Sequence, residues 1–455
     1  MTRRVVVVGG GVTGLTAAWT LLSRGADVTV IEASPATGGL IRTSPFAGLP
    51  SVDEGADSFL RRVPHALVLA DEIGLADDLV SPTGAHAAIW HDGLHPIPVD
   101  IVLGVPASMR AVAGTRLFSP LGKARAALDT VLPRRDHGDC LGRHVRARFG
   151  TQVQERLVDP LVGSIYAADT DDYSLAAVPQ IAALAAERSM LAAAATARRS
   201  APRSNDPVFA APRAGMGALV TRLAERITSS GGRIVSGTSV QSVERAASGY
   251  VVHASDGAHD CDAVVLASPA RATAPLVAEL DPAASALLAR WVHATVVMVT
   301  LALPADQWPR KLTGSGYLVP KPDQRWLTAA SFTSNKWDHL RPDDGSMVLR
   351  ASLGRDGLVV DGFDDDTLVN LTLADLKHHL GVDFTPTAVR LTRWNASFPQ
   401  YRPGHFDLLA RVEASLAVHA PGVVLAGASY RGIGVPACVQ QGRAAADKVL
   451  IAQPD

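Results

Sequence analysis

The stretch RRVVVVGGGVTGLTAAWTLLSRGADVTVIEA, Arg3 to Ala33, decides the fold. The apolar run Val5 to Val8 reads as a buried strand, the three glycines after it as a tight turn, the Ala/Leu-rich pattern to about Arg24 as a helix, and Val28 to Ile31 as a second strand. Strand, helix, strand over this length predicts two parallel neighbours in an α/β sheet. Gly9-Gly10-Gly11-Val12-Thr13-Gly14 satisfies G-x-G-x-x-G between that strand and helix. Glycines there permit the turn, let backbone N–H groups approach a pyrophosphate at the helix N-terminus, and allow close helix–sheet packing. Glu32 ends the second strand 18 residues after Gly14, where an acceptor for the ribose hydroxyls of a dinucleotide belongs.

At 455 residues the chain exceeds one ordinary core and implies about two or three packed units. A content of 47% hydrophobic and 19% charged residues excludes a disordered chain. Lys and Arg number 43 against 44 Asp and Glu, so no net basic field draws the protein to nucleic acid. Cys140, Cys261 and Cys438 are odd in number and far apart, which fits neither a disulfide framework nor a paired-cysteine zinc site; a cytoplasmic location is the simplest expectation. The N-terminal apolar run is interrupted by glycine too early for a signal peptide. No apolar stretch approaches the roughly 20 residues that span a bilayer, and peripheral membrane contact stays open.

Outward from the opening unit, EGADSF (Glu54 to Phe59) precedes a helical stretch to about Leu75, and AAIWHDGLHPIP reads as a hairpin around Asp92-Gly93. Residues from about 100 to 200 are mostly helical in pattern, and TARRSAPRSNDP is a polar break read as a loop or crossover. Helix, Gly-Gly turn and strand follow to about residue 243, then a buried strand in CDAVVLASPARATAPL that ends in a turn. Strand-like runs (TVVMVTLAL, SMVLRASLG) and a helix near 365–380 suggest a second sheet, and GVVLAGASYRGIGVPACVQQGRAAADKVL closes the chain as strand, turn, helix. The expected division is a discontinuous dinucleotide domain (1–95, 208–275 and 395–455), a helical lobe (96–207) and a mixed-sheet substrate domain (276–394).

Glu32 is followed by Ala33 to Thr37 and then Gly38-Gly39, with Leu40-Ile41-Arg42 behind them. This resembles the extended fingerprint of FAD-dependent amine oxidases and their relatives, in which the loop runs beside FAD. Glu54 to Phe59, LVGSIYAAD (Leu161 to Asp169), FPQY (Phe398 to Tyr401) with His405, and Gly427 to Pro436 are similar to successive blocks of the bacterial protoporphyrinogen/coproporphyrinogen oxidases. The resemblance covers nearly the whole chain in order. Two departures are Ala56, where a proline is common, and Ala168, where a glycine is usual.

The resemblance implies oxidation of a porphyrinogen to the conjugated porphyrin in haem biosynthesis, a loss of six electrons. FAD would carry them in three two-electron removals at N5, each followed by reoxidation with O2 to hydrogen peroxide. No acid–base pair emerges from the residues, so catalytic residues beyond the flavin stay unassigned. The implied cofactor residues are Gly9 to Gly14, Glu32, Ala33, Gly39, Arg42, Gly55, Ala56, Asp57 and Ser58, with Val240 at the adenine, Trp394 on the wall near the flavin, and Ile433, Gly434 and Val435 at the N1/O2 edge of the ring. There the helix that starts near Pro436 would meet negative charge with its N-terminus. Substrate propionates need cationic partners, and Arg61 and Arg62 are the first candidates; Tyr166 is a candidate contact to the macrocycle. Further implied partners are the membrane surface, near Arg134, Arg135, Arg143, Arg146 and Arg148, and a ferrochelatase receiving the product. The default reading of that arginine cluster is a solvated helix face.

The resemblance implies coproporphyrinogen III rather than protoporphyrinogen IX, because family members from one-membrane bacteria act mainly on the former; the lack of a membrane-spanning stretch fits that more charged substrate. An amine oxidase and a non-enzymatic relative of prenyl-GTPase escort proteins are the other readings. The 5% aromatic content opposes the first, and the intact glycine motifs with Glu32 oppose the second. His91 and His95 flank a turn and form no metal pair; His378 and His379 read as surface residues. In the closing motif Arg431 stands where a serine-hydrolase elbow needs glycine, which removes Ser429 as a nucleophile, and Cys438 reads as a structural thiol.

Overall fold

Arg4–Val8 is the central strand of a five-stranded parallel sheet with the order Arg233–Ser236, Asp27–Glu32, Arg4–Val8, Ala263–Leu266, Val423–Leu425. The computed structural model describes residues 2–200 and 206–451. Val5 and Val7 pack among residues of the helices Val12–Leu22, Gly217–Ser229 and Val435–Ile451. Val6 and Val8 pack on the other side, with the antiparallel strands Val240–Arg245, Tyr250–Ala254 and Gly257–Cys261 and the helices Ala270–Leu276, Pro282–Leu288 and His405–His419. A strand covered on both faces can be apolar at every position, which explains the unbroken valine run. The segment after Leu266, expected as a turn, forms the helix Ala270–Leu276.

The Asp92-Gly93 hairpin forms as expected, both residues having positive φ (53° and 135°). Its strand Ala87–Trp90, however, pairs in parallel with Gly316–Leu318. It thereby joins a seven-stranded mixed sheet with the order Ala388–Pro399, His293–Leu303, Met347–Leu353, Leu327–Phe332, Gly316–Leu318, Ala87–Trp90, Leu94–Pro96. The hairpin thus belongs with the second sheet rather than with the first 95 residues, and the strand Ala388–Pro399 crosses the expected boundary at 394. Both shifts come from strand pairings made with distant segments, which no local pattern encodes.

Residues 109–200 supply the helical lobe, including Leu141–Phe149, Asp159–Tyr166 and Met190–Ser200. A single π-helical turn, Gln154–Val158, leads into Asp159–Tyr166. The expected break at TARRSAPRSNDP begins later than predicted, because Thr196 to Ser200 remain helical; residues 201–205 lie outside the described residues.

Two expectations about charged and polar side chains are overturned. Arg148 is buried: its Nε donates to Asp129 Oδ1 at 2.6 Å, and its other nitrogens donate to the carbonyls of Asp129, Pro133 and Arg188. With Asp129 fully buried and no water to solvate either charge, this is a packing centre of the lobe and no solvated face. His379 is buried as well, its Nδ1 bonded to the Tyr317 hydroxyl at 3.0 Å, and burial pushes its imidazole down to about 4. His378, one residue away, is exposed. His91 bonds to Asp323, and His95 to the His91 carbonyl.

Candidate cofactor and substrate site

Gly9 leaves the central strand with φ +106°, in the region that favours glycine, and its N–H donates to the Ile31 carbonyl at 2.8 Å. A Cβ at Gly14 would overlap the Gly9 carbonyl oxygen, so the helix can start this close to the strand only with glycine there. Gly11 differs: a Cβ there would meet nothing within 4 Å. It occupies the cap position of Val12–Leu22, with no side chain capping that end. The result is an open space over uncapped helical N–H groups, which fits a pyrophosphate.

Glu32 closes one side of this turn. Its carboxylate accepts from the N–H groups of Gly10 (2.6 Å) and Ser34 (2.8 Å), leaving further lone pairs for ribose hydroxyls. Ala33 is exposed beside it. The second glycine pair folds over the first: Gly38 N–H donates to the Gly10 carbonyl at 2.8 Å, and a Cβ on Gly39 would sit 3.3 Å from Gly11 Cα. Thr238 N–H donates to the Glu32 carbonyl, which brings Val240, at the start of the next strand, to the same end of the site.

Glu54 organises the opposite end. It pairs with Arg42 Nε at 2.7 Å and accepts from Ser44 and Thr392 hydroxyls, while its carbonyl accepts from Trp394 Nε1 at 3.2 Å. The Arg42 guanidinium lies 4.8 Å over the Trp394 ring. Gly55 fits beneath, since a Cβ would come within 2.8 Å of the Leu40 carbonyl and 3.2 Å of Trp394. Ala56 is exposed and Ser58 donates to Asp57. Burial opposes ionisation of Asp57, but Lys336, at 2.7 Å, and Arg350 together hold it well below the usual carboxylate range. The carboxylate of Asp57 is therefore committed to the second sheet. Sequence reasoning missed Lys336 and Arg350, which lie hundreds of residues away in no motif.

Asp53, next to this network, behaves oppositely. Burial pushes its carboxyl up to about 6, although it accepts from Met216 N–H and the Thr43 hydroxyl. Unfolded, it ionises near 3.8, so between that pH and about 6 the folded protein keeps a proton that the unfolded chain has released. Stability therefore falls as pH rises through this window and is level above it. Asp53→Asn keeps the acceptor oxygen. It is expected to be more stable than the parent by about 1–3 kcal/mol near neutral pH and to lose that advantage near pH 4. Urea midpoints measured against pH check this; equal midpoints at neutral pH would refute it.

The closing glycine turn reaches the opening one through the sheet. Ala267 N–H donates to the Val8 carbonyl and Ala426 N–H to that of Leu266, and both Gly9 and Gly427 abut the Ala267 carbonyl. The site thus lies beyond the carboxyl ends of the parallel strands, the common ligand position in such sheets. Closing and opening helices touch at Gly442, where a Cβ would come within 2.5 Å of the Thr13 carbonyl. The N–H groups of Ile433, Gly434 and Val435 find no acceptor among the described residues, which suits them to hold a polar ring edge. Ser429 accepts from Ala270 N–H. Burial pushes the Cys438 thiol up to about 11, as suits a structural group.

Tyr166 ends its helix and packs against the helical-lobe core together with Ile433 of the closing turn. The left-handed residue after it is Ala167 (φ 48°), held by Gln400 Nε2 on the carbonyls of Tyr166 and Ala167, both at 3.3 Å. The substitution noted at Ala168 is thus not at the strained position. Arg61 is half-buried and Arg62 exposed, after the strand Phe59–Leu60, and neither guanidinium forms an ion pair or hydrogen bond among the described residues. The structure joins Tyr166 to the closing turn through the lobe core; among the described residues no hydrogen bond or ring contact joins it to Arg61 or Arg62.

A family model described as flavin-containing amine oxidoreductase matches residues 12–450. The chain is 33% identical to a coproporphyrinogen III oxidase of Bacillus subtilis, with 98% of each chain covered. It is 34% identical to one of Mycobacterium leprae, with 96% of each covered. A solved structure from Exiguobacterium sp. 255-15 superposes with a TM-score of 0.87 at 28% identity over the whole of both chains.

Proposed function

Because the chain belongs to the flavin-containing amine oxidoreductases, we propose that it binds FAD along the line from Glu32 to Ile433 and oxidises coproporphyrinogen III to coproporphyrin III. The balance is six electrons and six protons lost by the substrate, with three O2 reduced to three H2O2. FAD, when bound, supplies the two-electron chemistry. The chain supplies the rest. Gly9 to Gly14 receive the pyrophosphate, Glu32 the ribose, and Val240 the adenine side. Gly55, Arg42 and Trp394 wall the ring, and the free N–H groups of Ile433 to Val435 favour negative charge at its edge, next to a helix N-terminus.

The observation that carries this reading is that Tyr166 and Ile433 pack on one cluster, so the ring end of the cofactor site opens toward the helical lobe. We place the macrocycle between that lobe and the seven-stranded sheet, with the parallel sheet as the FAD domain. Arg61 and Arg62, uncommitted to any carboxylate, are available for propionates.

Comparing kcat/KM on the two porphyrinogens tests the substrate. Coproporphyrinogen is expected to be favoured at least tenfold, about 1.4 kcal/mol in transition-state binding; a preference for protoporphyrinogen would overturn the choice. No helix among the described residues is long and apolar enough to cross a membrane. The segment 120–135 exposes Leu121, Leu128 and Val131 together with Arg134 and Arg135, which supports peripheral membrane contact. Sedimentation of the same enzyme with anionic vesicles bears on that point, and assays with a ferrochelatase present bear on product handover.

A further inference from the structure

Three successive carbonyls of the closing turn each accept a hydrogen bond from an aromatic side chain outside it. Tyr401 hydroxyl donates to Ala428, Trp291 Nε1 to Ser429 at 2.9 Å, and His405 Nε2 bonds to Tyr430 at 2.8 Å. His405 links the three rings: Tyr401 stacks on it at 4.1 Å and 18°, and Trp291 meets it edge-on at 5.5 Å. Tyr401 does more than the other two. Its hydroxyl also accepts from Gly432 N–H at 2.7 Å, so one buried oxygen pins both arms of the turn immediately before Ile433. Its ring belongs to the core of the helical lobe and lies parallel to Tyr173 at 6.0 Å, and Tyr173 in turn contacts Tyr166 at 5.2 Å. Tyr401 is also held at its own backbone, where its carbonyl accepts from Ser174 N–H at 2.7 Å.

We propose that Tyr401 is the positioning residue for the ring end of the FAD site: its hydroxyl shapes the 428–432 turn so that the N–H groups of residues 433–435 face the ring edge, and its ring ties that shape to the lobe bearing Tyr166. The proposal rests on the reading that residues 433–435 face the flavin. Turning those N–H groups away would weaken FAD binding and, because they favour negative charge, would make the flavin harder to reduce.

The test compares two hydroxyl deletions from one stack. Tyr173 hydroxyl is buried with no hydrogen-bond partner among the described residues, so Tyr173→Phe removes an oxygen and no bond. Tyr401→Phe removes the brace and keeps the ring. FAD titration of the apoproteins is expected to show binding roughly tenfold weaker for Y401F, the effect of one buried hydrogen bond of about 1.4 kcal/mol, with a lowered flavin midpoint potential and an altered visible spectrum. Y173F should stay within about twofold of the parent, with its potential unchanged. Equal behaviour of the two variants overturns the proposal. Amide exchange on the unmutated protein provides an answer even if Y401F does not fold: Gly432 N–H should be protected already in the apoprotein, and free exchange there also overturns it. Gly434→Val separates the two ideas. If it leaves FAD binding unchanged, the placement of residues 433–435 at the flavin fails; if it weakens FAD binding while Y401F does not, the role of Tyr401 alone fails.

Discussion

Gly11→Asp is expected to produce a folded, colourless protein. Gly11 has φ −72° and ψ 173°, extended backbone open to any residue, and a Cβ there would meet no atom within 4 Å. Aspartate is a favoured N-cap, so the apoprotein should change by a few tenths of a kcal/mol at most. The same carboxylate would stand where we place the pyrophosphate, and juxtaposed like charges cost several kcal/mol. FAD affinity should fall by roughly 100-fold or more, read as loss of the flavin spectrum with an unchanged circular dichroism melt of the apoprotein. Gly14→Ala is the contrast: its Cβ would overlap the Gly9 carbonyl, so it should lose the fold and the cofactor together. A yellow G11D protein would show that the pyrophosphate lies elsewhere.

The second large effect is expected at the joint between the helical lobe and the seven-stranded sheet. Arg355 reaches from the end of the sheet to form a two-pronged pair with Asp159, at 2.8 and 2.9 Å, and also donates to the Ala168 carbonyl. Both side chains are buried. Removing one partner leaves the other charge without water or counterion, a loss of about 3–5 kcal/mol. Arg355→Met and Asp159→Ala should each lower the urea midpoint accordingly, and the double variant should lose less than the sum of the two. Because the same contacts hold the turn after Tyr166, KM for the porphyrinogen should rise while FAD affinity stays unchanged. Single variants within 1 kcal/mol of the parent would show that the lobe is held by its apolar contacts instead.

The opening strand–turn–helix–strand, the Asp92-Gly93 hairpin and the closing strand–turn–helix were legible in the sequence because each is local. Periodicity and glycine placement specify them within about 30 residues. The glycine cradle and Glu32 were legible for the same reason: the positive φ of Gly9 and the overlap of a Gly14 Cβ with the Gly9 carbonyl arise within the turn itself. The family blocks around Gly55, Tyr166 and Gly434 pointed to a flavoprotein that acts on a porphyrinogen, but not to how those blocks meet.

That meeting belongs to the tertiary structure. Arg148 and His379 look like surface residues until their burial beside Asp129 and Tyr317 is known, because a charged or polar side chain carries no sign in the sequence that a distant partner will satisfy it. Lys336 and Arg350 reach Asp57, and Tyr401 reaches Ala428 and Gly432, across separations that no periodicity spans. The two glycine turns come to the same edge of the sheet only because parallel pairing puts Val8, Leu266 and Leu425 on adjacent strands. Local sterics set each turn; long-range hydrogen bonding and burial set what each turn faces.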